Sequence, residues 1–154
     1  MRNIIYDAVY GAICSLTVLI IGLLLPRRWF STNSALFAER KWENGGKVYN
    51  RLHINKWKSK LPDMSRYIKG MIAKRLRGSE SADDIRRLIA ETCVAEAAHL
   101  ALIVLSLGMI WVWQDIGGVI CCVCYAAGNV PYIIIQRYNR PRLVRMMKRM
   151  ESRG

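Results

Sequence analysis

An all-α integral membrane protein, with three transmembrane helices and cytoplasmic interfacial amphipathic helices, is the fold class this sequence predicts. Three observations predict it. First, uncharged and mostly apolar runs cover Ala8–Leu25 (18 residues), Ala97–Trp113 (17, with His99 as its one titratable group) and Ile116–Ile135 (20). Each is long enough for a span, which needs about 17–25 such residues. Second, a formal net charge of +13 sits beside 53% hydrophobic residues in 154. A nucleic-acid binder of that charge would lack such runs, so no nucleic-acid partner is expected. Third, the 24 Lys and Arg are lopsided: one precedes the first run, 16 lie from Arg27 to Arg87, none lies in the Gln114–Asp115 turn, and seven follow Ile135. Positive charge stays on the cytoplasmic side. A multi-pass protein of the cell membrane is therefore expected, N-terminus outside and C-terminus cytoplasmic.

Taken in order, the spans fall at about 8–25, 95–113 and 116–135 of one membrane-embedded domain, with an interfacial segment at about 27–92. The first run does not read as a cleaved signal peptide. It is long, no small-residue cleavage site follows it, and it closes on LLLPRRWF, an interfacial ending. Ser31–Glu39 reads as a short helix capped by Asn33 or Ser34. Glu43–Gly46 is a turn. From Lys47 to Leu61 basic residues alternate with apolar and aromatic ones until Pro62. Tyr67, Ile68, Met71, Ile72 and Leu76 then recur at helical spacing against Arg66, Lys69, Lys74, Arg75 and Arg77, an amphipathic basic helix suited to an anionic leaflet. Ser81 with Asp84 three residues on resembles a capping box opening a helix that continues into span two. Gly128, Asn129 and Pro131 should loosen span three, as a kink or a lined cavity.

Glu96 and His99, at i and i+3, share one helix face just inside span two. Ionisable groups there are costly and candidates for function. A carboxylate can orient an imidazole as a general base for an alcohol; the plain alternative is an interhelical hydrogen bond. A di-iron reading needs a second Glu-x-x-His and two more glutamates, so no metal is expected. Spans two and three run antiparallel, which should bring His99 to the depth of Asn129, Gln136 and Arg137. Asn55–Asp63 adds basic residues beside Trp57, either a wet anchoring strip or a surface for phosphate. Cys14, Cys121, Cys122 and Cys124 lie within spans and read as packing residues.

The run NVPYIIIQRYNRPRL (Asn129–Leu143) resembles the C-terminal signature of the glycosyl-4,4'-diaponeurosporenoate acyltransferases, membrane enzymes of staphyloxanthin-type carotenoid biosynthesis. ENGGKVY (Glu43–Tyr49), KWKSKLPD (Lys56–Asp63) and ETCVAEAAH (Glu91–His99) resemble further elements of that family, in its order. The matching positions are Glu43, Gly46, Trp57, Lys58, Glu96, His99, Asn129, Pro131, Gln136, Arg137, Tyr138, Asn139 and Arg140. The resemblance implies O-acylation: a fatty acyl group moves from a thioester donor, acyl-CoA or acyl-carrier protein, onto a sugar hydroxyl of a membrane glycolipid.

Residue types then suggest roles within that reaction. His99, oriented by Glu96, is the expected base. Asn129, Gln136, Arg137 and Asn139 are the expected oxyanion and substrate contacts. Lys56, Lys58, Arg140 and Arg142 would hold donor phosphates or headgroups, and Trp57 would anchor the interfacial layer. No cofactor beyond the donor is expected. A homo-oligomer is an open expectation, since so small a chain encloses little by itself. Two other readings stay open, a small membrane lipid methyltransferase and a non-enzymatic membrane adaptor.

Overall fold

A computed structural model describes residues 2–32, 34–61 and 81–152. Among them the helices are α1 (Arg2–Leu24), α2 (Ile54–Trp57), α3 (Ala82–Leu105), α4 (Met109–Val112) and α5 (Ile116–Glu151), with 3-10 turns at Arg27–Trp29, Lys41–Glu43, Lys47–Leu52 and Ser106–Gly108. Asn33, Pro62, Asp63 and the basic amphipathic helix expected between Arg66 and Arg77 lie outside the described residues. Asn3–Leu24, Ala82–Val112 and Ile116–Glu151 are each long and apolar enough to cross a membrane. The protein is an all-helical membrane protein. The chain divides into two compact units: Met1–Pro26 with Val94–Ile134, and Arg27–Cys93 with Ile135–Gly154.

The first unit turns its apolar side chains outward. Ile5, Ile13 and Leu16 of α1 and Val104 and Trp111 of the second span are all more than half exposed. Such a surface is stable in lipid and would be a liability in water. Helix contacts inside the unit depend on small residues and on polar groups that satisfy backbone. A Cβ on Gly11 would stand 3.0 Å from both Met109 Cε and Tyr125 Cε2, so glycine permits that approach. The Tyr10 hydroxyl donates to the Leu105 carbonyl (2.9 Å), where α3 tightens into a 3-10 turn. The Tyr125 hydroxyl donates to the Gly11 carbonyl (3.0 Å) and lies 2.7 Å from Ser15 Oγ. The turn at Gln114–Asp115 forms where the sequence placed it, and Asp115 Oδ1 accepts the Ile116 amide at 2.7 Å to start α5.

The second unit packs an apolar core of its own. Ile85, Leu88 and Ile89 of α3 pack on Leu143, Val144, Met146, Met147 and Met150 of α5. Arg86 bridges the same two helices through Glu151 at 2.9 Å. The capping box is present: Ser81 Oγ accepts the Asp84 amide at 3.2 Å, and Asp84 Oδ2 accepts the Ser81 amide at 3.0 Å. Those Ser81 hydrogen bonds, backbone first, hold the Asp84 carboxyl below the ordinary carboxylate range.

One expectation needs correction. Ser31–Glu39 is not a helix; among its described residues it is a turn closed by Phe37 N and Ala38 N on the Ser34 carbonyl (3.0 and 2.8 Å). A helix would pair the Leu36 carbonyl with the Arg40 amide. Here the Leu36 carbonyl accepts Arg137 instead (2.7 Å), and the Arg40 amide donates to Glu43 Oε2 (2.6 Å). Distant side chains have taken both groups of the would-be ladder. α5 stays helical through Pro131 and Pro141. Asn129 Nδ2 turns back onto the Tyr125 carbonyl (2.9 Å), one turn earlier in the same helix.

The burial pattern predicts that Leu88→Ala lowers stability by about 2–4 kcal/mol, because Leu88 is 2% exposed in the α3–α5 core. Val104→Ala, on the lipid face, should change it by no more than about 0.5 kcal/mol. Unfolding in detergent checks both; equal losses would contradict the described packing.

Candidate functional site

In the first unit the site grows from α3 and α5. His99 Nδ1 stands 2.8 Å from Asn129 Oδ1. The Tyr125 carbonyl can only accept, so the Asn129 nitrogen must face it and the Asn129 oxygen must face the histidine. His99 Nδ1 is therefore the donor of this hydrogen bond, so that in the neutral ring Nε2 is the nitrogen with the lone pair. Tyr132, one turn along α5 from Asn129, stacks on the imidazole with ring centroids 4.6 Å apart and planes 12° apart. The ring is thus fixed in tautomer and in plane, and His99 remains only partly buried. Glu96, one turn earlier on α3, is 1% exposed. Of the residues expected together, this unit joins His99 with Asn129. Tyr132 was not singled out from the sequence, although its i+3 spacing from Asn129 was a visible signal.

In the second unit Glu43 is the centre. Both its oxygens receive Arg137 Nη1 (3.0 and 3.1 Å), and it also accepts the Tyr49 hydroxyl (2.5 Å) and the Arg40 amide. Burial raises the Glu43 carboxyl. The hydrogen bonds from Arg40, Tyr49 and Arg137 and the Arg137 charge outweigh it, and hold the group below its ordinary value. The sequence element Glu43-x-x-Gly46-x-x-Tyr49 so acquires a reason. Asn44, Gly45 and Gly46 turn through left-handed φ, and a Cβ on Gly46 would stand 3.1 Å from the Tyr138 carbonyl. Tyr49 then returns its hydroxyl to Glu43.

Arg140 is 4% exposed and also tied to backbone. Nε donates to Thr92 Oγ1 (2.9 Å), Nη2 to the Thr92 carbonyl (3.1 Å) and Nη1 to the Phe37 carbonyl (2.8 Å). Arg27 pairs with Glu91 at 2.7 Å. Glu39, Glu43, Arg137, Arg140, Phe37, Pro141, Thr32 and Val144 line a cleft of about 170 Å³. Gln136 is buried and Asn139 half-buried. Lys56 is exposed; Lys58 and Arg142 stand over the Tyr138 ring, 4.8 and 3.8 Å from its centroid. Trp57 is partly buried and donates Nε1 to the Leu52 carbonyl at 2.8 Å, anchoring its own segment.

Among the described residues no three His, Cys, Asp or Glu side chains come together to hold a metal ion. Sequence reasoning missed Asp7, which α1 buries to 1% exposure; beginning the first span at Ala8 passed over it.

The Glu43 environment sets a pH dependence. A carboxyl held below its unfolded value of about 4.3 stabilises the fold fully above that pH, and the contribution is lost as pH falls through the folded value. Glu43→Gln should destabilise the protein by about 3 kcal/mol near pH 7, because it leaves Arg137 without its counter-charge. The gap between variant and wild type should narrow below about pH 4.3, where the unfolded chain begins to bind a proton at Glu43 that the folded state takes up only at lower pH. A constant gap from pH 7 to 3 in denaturation experiments would rule out this account.

The model of the glycosyl-4,4'-diaponeurosporenoate acyltransferase family matches residues 26–149. Proteins named glycosyl-4,4'-diaponeurosporenoate acyltransferase from Staphylococcus aureus strains RF122 / ET3-1, MRSA252 and N315 are each 29% identical to the chain, over all of it and 93% of their own length. No solved structure matches it. The activity in the family's name is acyl transfer, which sets aside the methyltransferase and adaptor readings. The chain belongs to the glycosyl-4,4'-diaponeurosporenoate acyltransferase family and, with it, to the acyltransferases.

Proposed function

We propose that the protein transfers a fatty acyl group from a thioester donor onto a sugar hydroxyl of a membrane glycolipid, a glycosyl carotenoid acid or a similar acceptor, at the cytoplasmic side of the cell membrane. The observation that carries this reading is the His99–Asn129 hydrogen bond, because it makes Nδ1 the donor of a ring held in place, and the base we assign is Nε2 of that ring in its neutral form. Nε2 takes the acceptor hydroxyl proton as that oxygen attacks the thioester carbonyl. The tetrahedral intermediate collapses, the C–S bond breaks, and the imidazolium returns its proton to the leaving thiolate. Family membership supports acyl transfer as the class; the sugar hydroxyl is what the resemblance of the sequence motifs implies, and the thioester donor is part of this proposal.

Asn129 keeps its second amide hydrogen, since only one is spent on Tyr125, and that hydrogen is the donor we assign to the oxyanion. Such donors are worth about 3–4 kcal/mol of transition-state stabilisation. Arg137 directs its terminal nitrogens to Glu43 and Leu36, which favours a scaffold role over the oxyanion role its sequence position suggested. Gln136 and Asn139 keep their assignment as substrate contacts, and Glu96 its assignment as a positioning carboxylate on the His99 face. Lys56, Lys58 and Arg142 serve the donor's phosphates; Arg140, engaged with Thr92 and Phe37, does so less readily. The charge distribution supports an outside N-terminus and a cytoplasmic C-terminus.

His99→Ala should lower kcat by about 10²–10⁴-fold or more with insertion and folding retained, as expected for loss of a general base. Asn129→Leu should lower kcat and weaken the base. The direct assay supplies glycolipid and acyl-CoA to the purified protein and follows the acylated product by mass spectrometry. Full activity in His99→Ala would remove the mechanism.

A further inference from the structure

We infer that Tyr138 is the seat of a phosphate clamp, in which Lys58 and Arg142 grip one phosphate ester. Tyr138 is fully buried, and its hydroxyl is pinned by Asn55 Oδ1 at 2.8 Å. Its ring carries the Arg142 guanidinium at 3.8 Å and the Lys58 ammonium at 4.8 Å. Two cations on one ring repel each other, and cation–π attraction at exposed sites offsets only about 0.5–1 kcal/mol apiece. An internal carboxylate would ordinarily be expected to complete such a pair. Among the described residues neither cation makes an ion pair. The described carboxylates of this unit are committed elsewhere: Glu43, Glu91, Asp83 and Glu151 to arginines, Glu39 to the Gly45 amide and Asp84 to the Ser81 cap.

Two cations, Lys58 partly buried and Arg142 exposed, thus stand against one buried ring with no described carboxylate beside them, and the anion we assign to them comes from outside. A phosphate ester fits, because arginine's planar fork and lysine's point charge can grip different oxygens of one group. Tyr138 acts here as a positioning residue: it fixes where the cations stand. The phosphate can belong to the thioester donor or to a phospholipid headgroup. The donor assignment deepens the function proposed above and rests on it; the headgroup assignment does not.

The test uses the full chain in nanodiscs. Coenzyme A, as the probe for donor phosphates, is titrated into nanodiscs of phosphatidylcholine alone. The headgroup source is probed by mass spectrometry of lipid retained from equal phosphatidylglycerol and phosphatidylcholine. Lys58→Gln/Arg142→Gln is compared with Lys47→Gln/Arg51→Gln, which removes the same charge from exposed positions on the preceding 3-10 turn. The clamp predicts that the first pair weakens coenzyme A binding, or phosphatidylglycerol enrichment, by about tenfold or more, as loss of charge-assisted bonds should. The control pair should change it by less than about threefold. Tyr138→Phe, which keeps the ring, should bind nearly as wild type.

Equal losses in both double variants would show diffuse charge and overturn the clamp, as would a wild type that binds neither probe. Acyl transfer is scored separately. Clamp-dependent binding without any transfer would overturn the acyltransferase mechanism and leave the clamp standing. Transfer with an unchanged donor KM in Lys58→Gln/Arg142→Gln, together with unchanged lipid retention, would overturn the clamp and leave the mechanism.

Discussion

The second unit depends on one buried ion pair, Glu43 with Arg137, 94 residues apart in sequence. The segment from Ser34 to Lys58 has little regular structure of its own: a turn, two 3-10 stretches and the four-residue α2. Such a segment cannot satisfy its backbone through a helix ladder, and unpaired buried carbonyls are costly. Arg137 and Arg140 supply the missing donors to the Leu36 and Phe37 carbonyls. Glu43 in turn fixes the Arg137 guanidinium and occupies the Arg40 amide. Buried pairs of this kind are weak evidence for net stability, because desolvation offsets the attraction. What this one supplies is register: it sets which carbonyls meet which guanidinium, and places Gly46 against the Tyr138 backbone.

The polar chemistry of the first unit answers to a different solvent. In lipid there is no water to satisfy a stray donor, so a polar group without a protein partner is costly. Asn129 does this twice, through its nitrogen on its own helix and its oxygen on His99. The same constraint that makes a polar residue expensive in a span makes its orientation unambiguous. That is why a histidine tautomer can be deduced here, where on a water-exposed surface either amide orientation would be tolerated.

Legibility followed the same division. The three spans, the turn at Gln114–Asp115, the capping box at Ser81–Asp84 and the meeting of His99 with Asn129 were all readable, because each follows from run length, local spacing or antiparallel register. The turn at Ser31–Glu39 was misread as a helix, since local propensity carries no sign that Arg137 and Arg140 will claim its carbonyls. Glu43 was quoted from a motif but given no chemistry, for its partner lies too far along the chain for spacing to reveal. Tyr132 passed as one more apolar-run aromatic. Asp7 was lost to a span boundary drawn one residue too late.

The signature Asn129–Leu143 therefore mixes two kinds of residue that a sequence pattern presents as one. Asn129 and Tyr132 hold an imidazole, whereas Arg137 and Arg140 hold backbone. Substitution acts on them for unlike reasons: replacing the first frees an imidazole, and replacing the second unfastens a segment. A motif match cannot separate them, because both produce a fixed residue at a fixed spacing. Partner chemistry can. A guanidinium whose terminal nitrogens donate to a carboxylate and a main-chain carbonyl fastens a segment, whereas an amide and a phenol ring on one side of an imidazole fix its position and its plane.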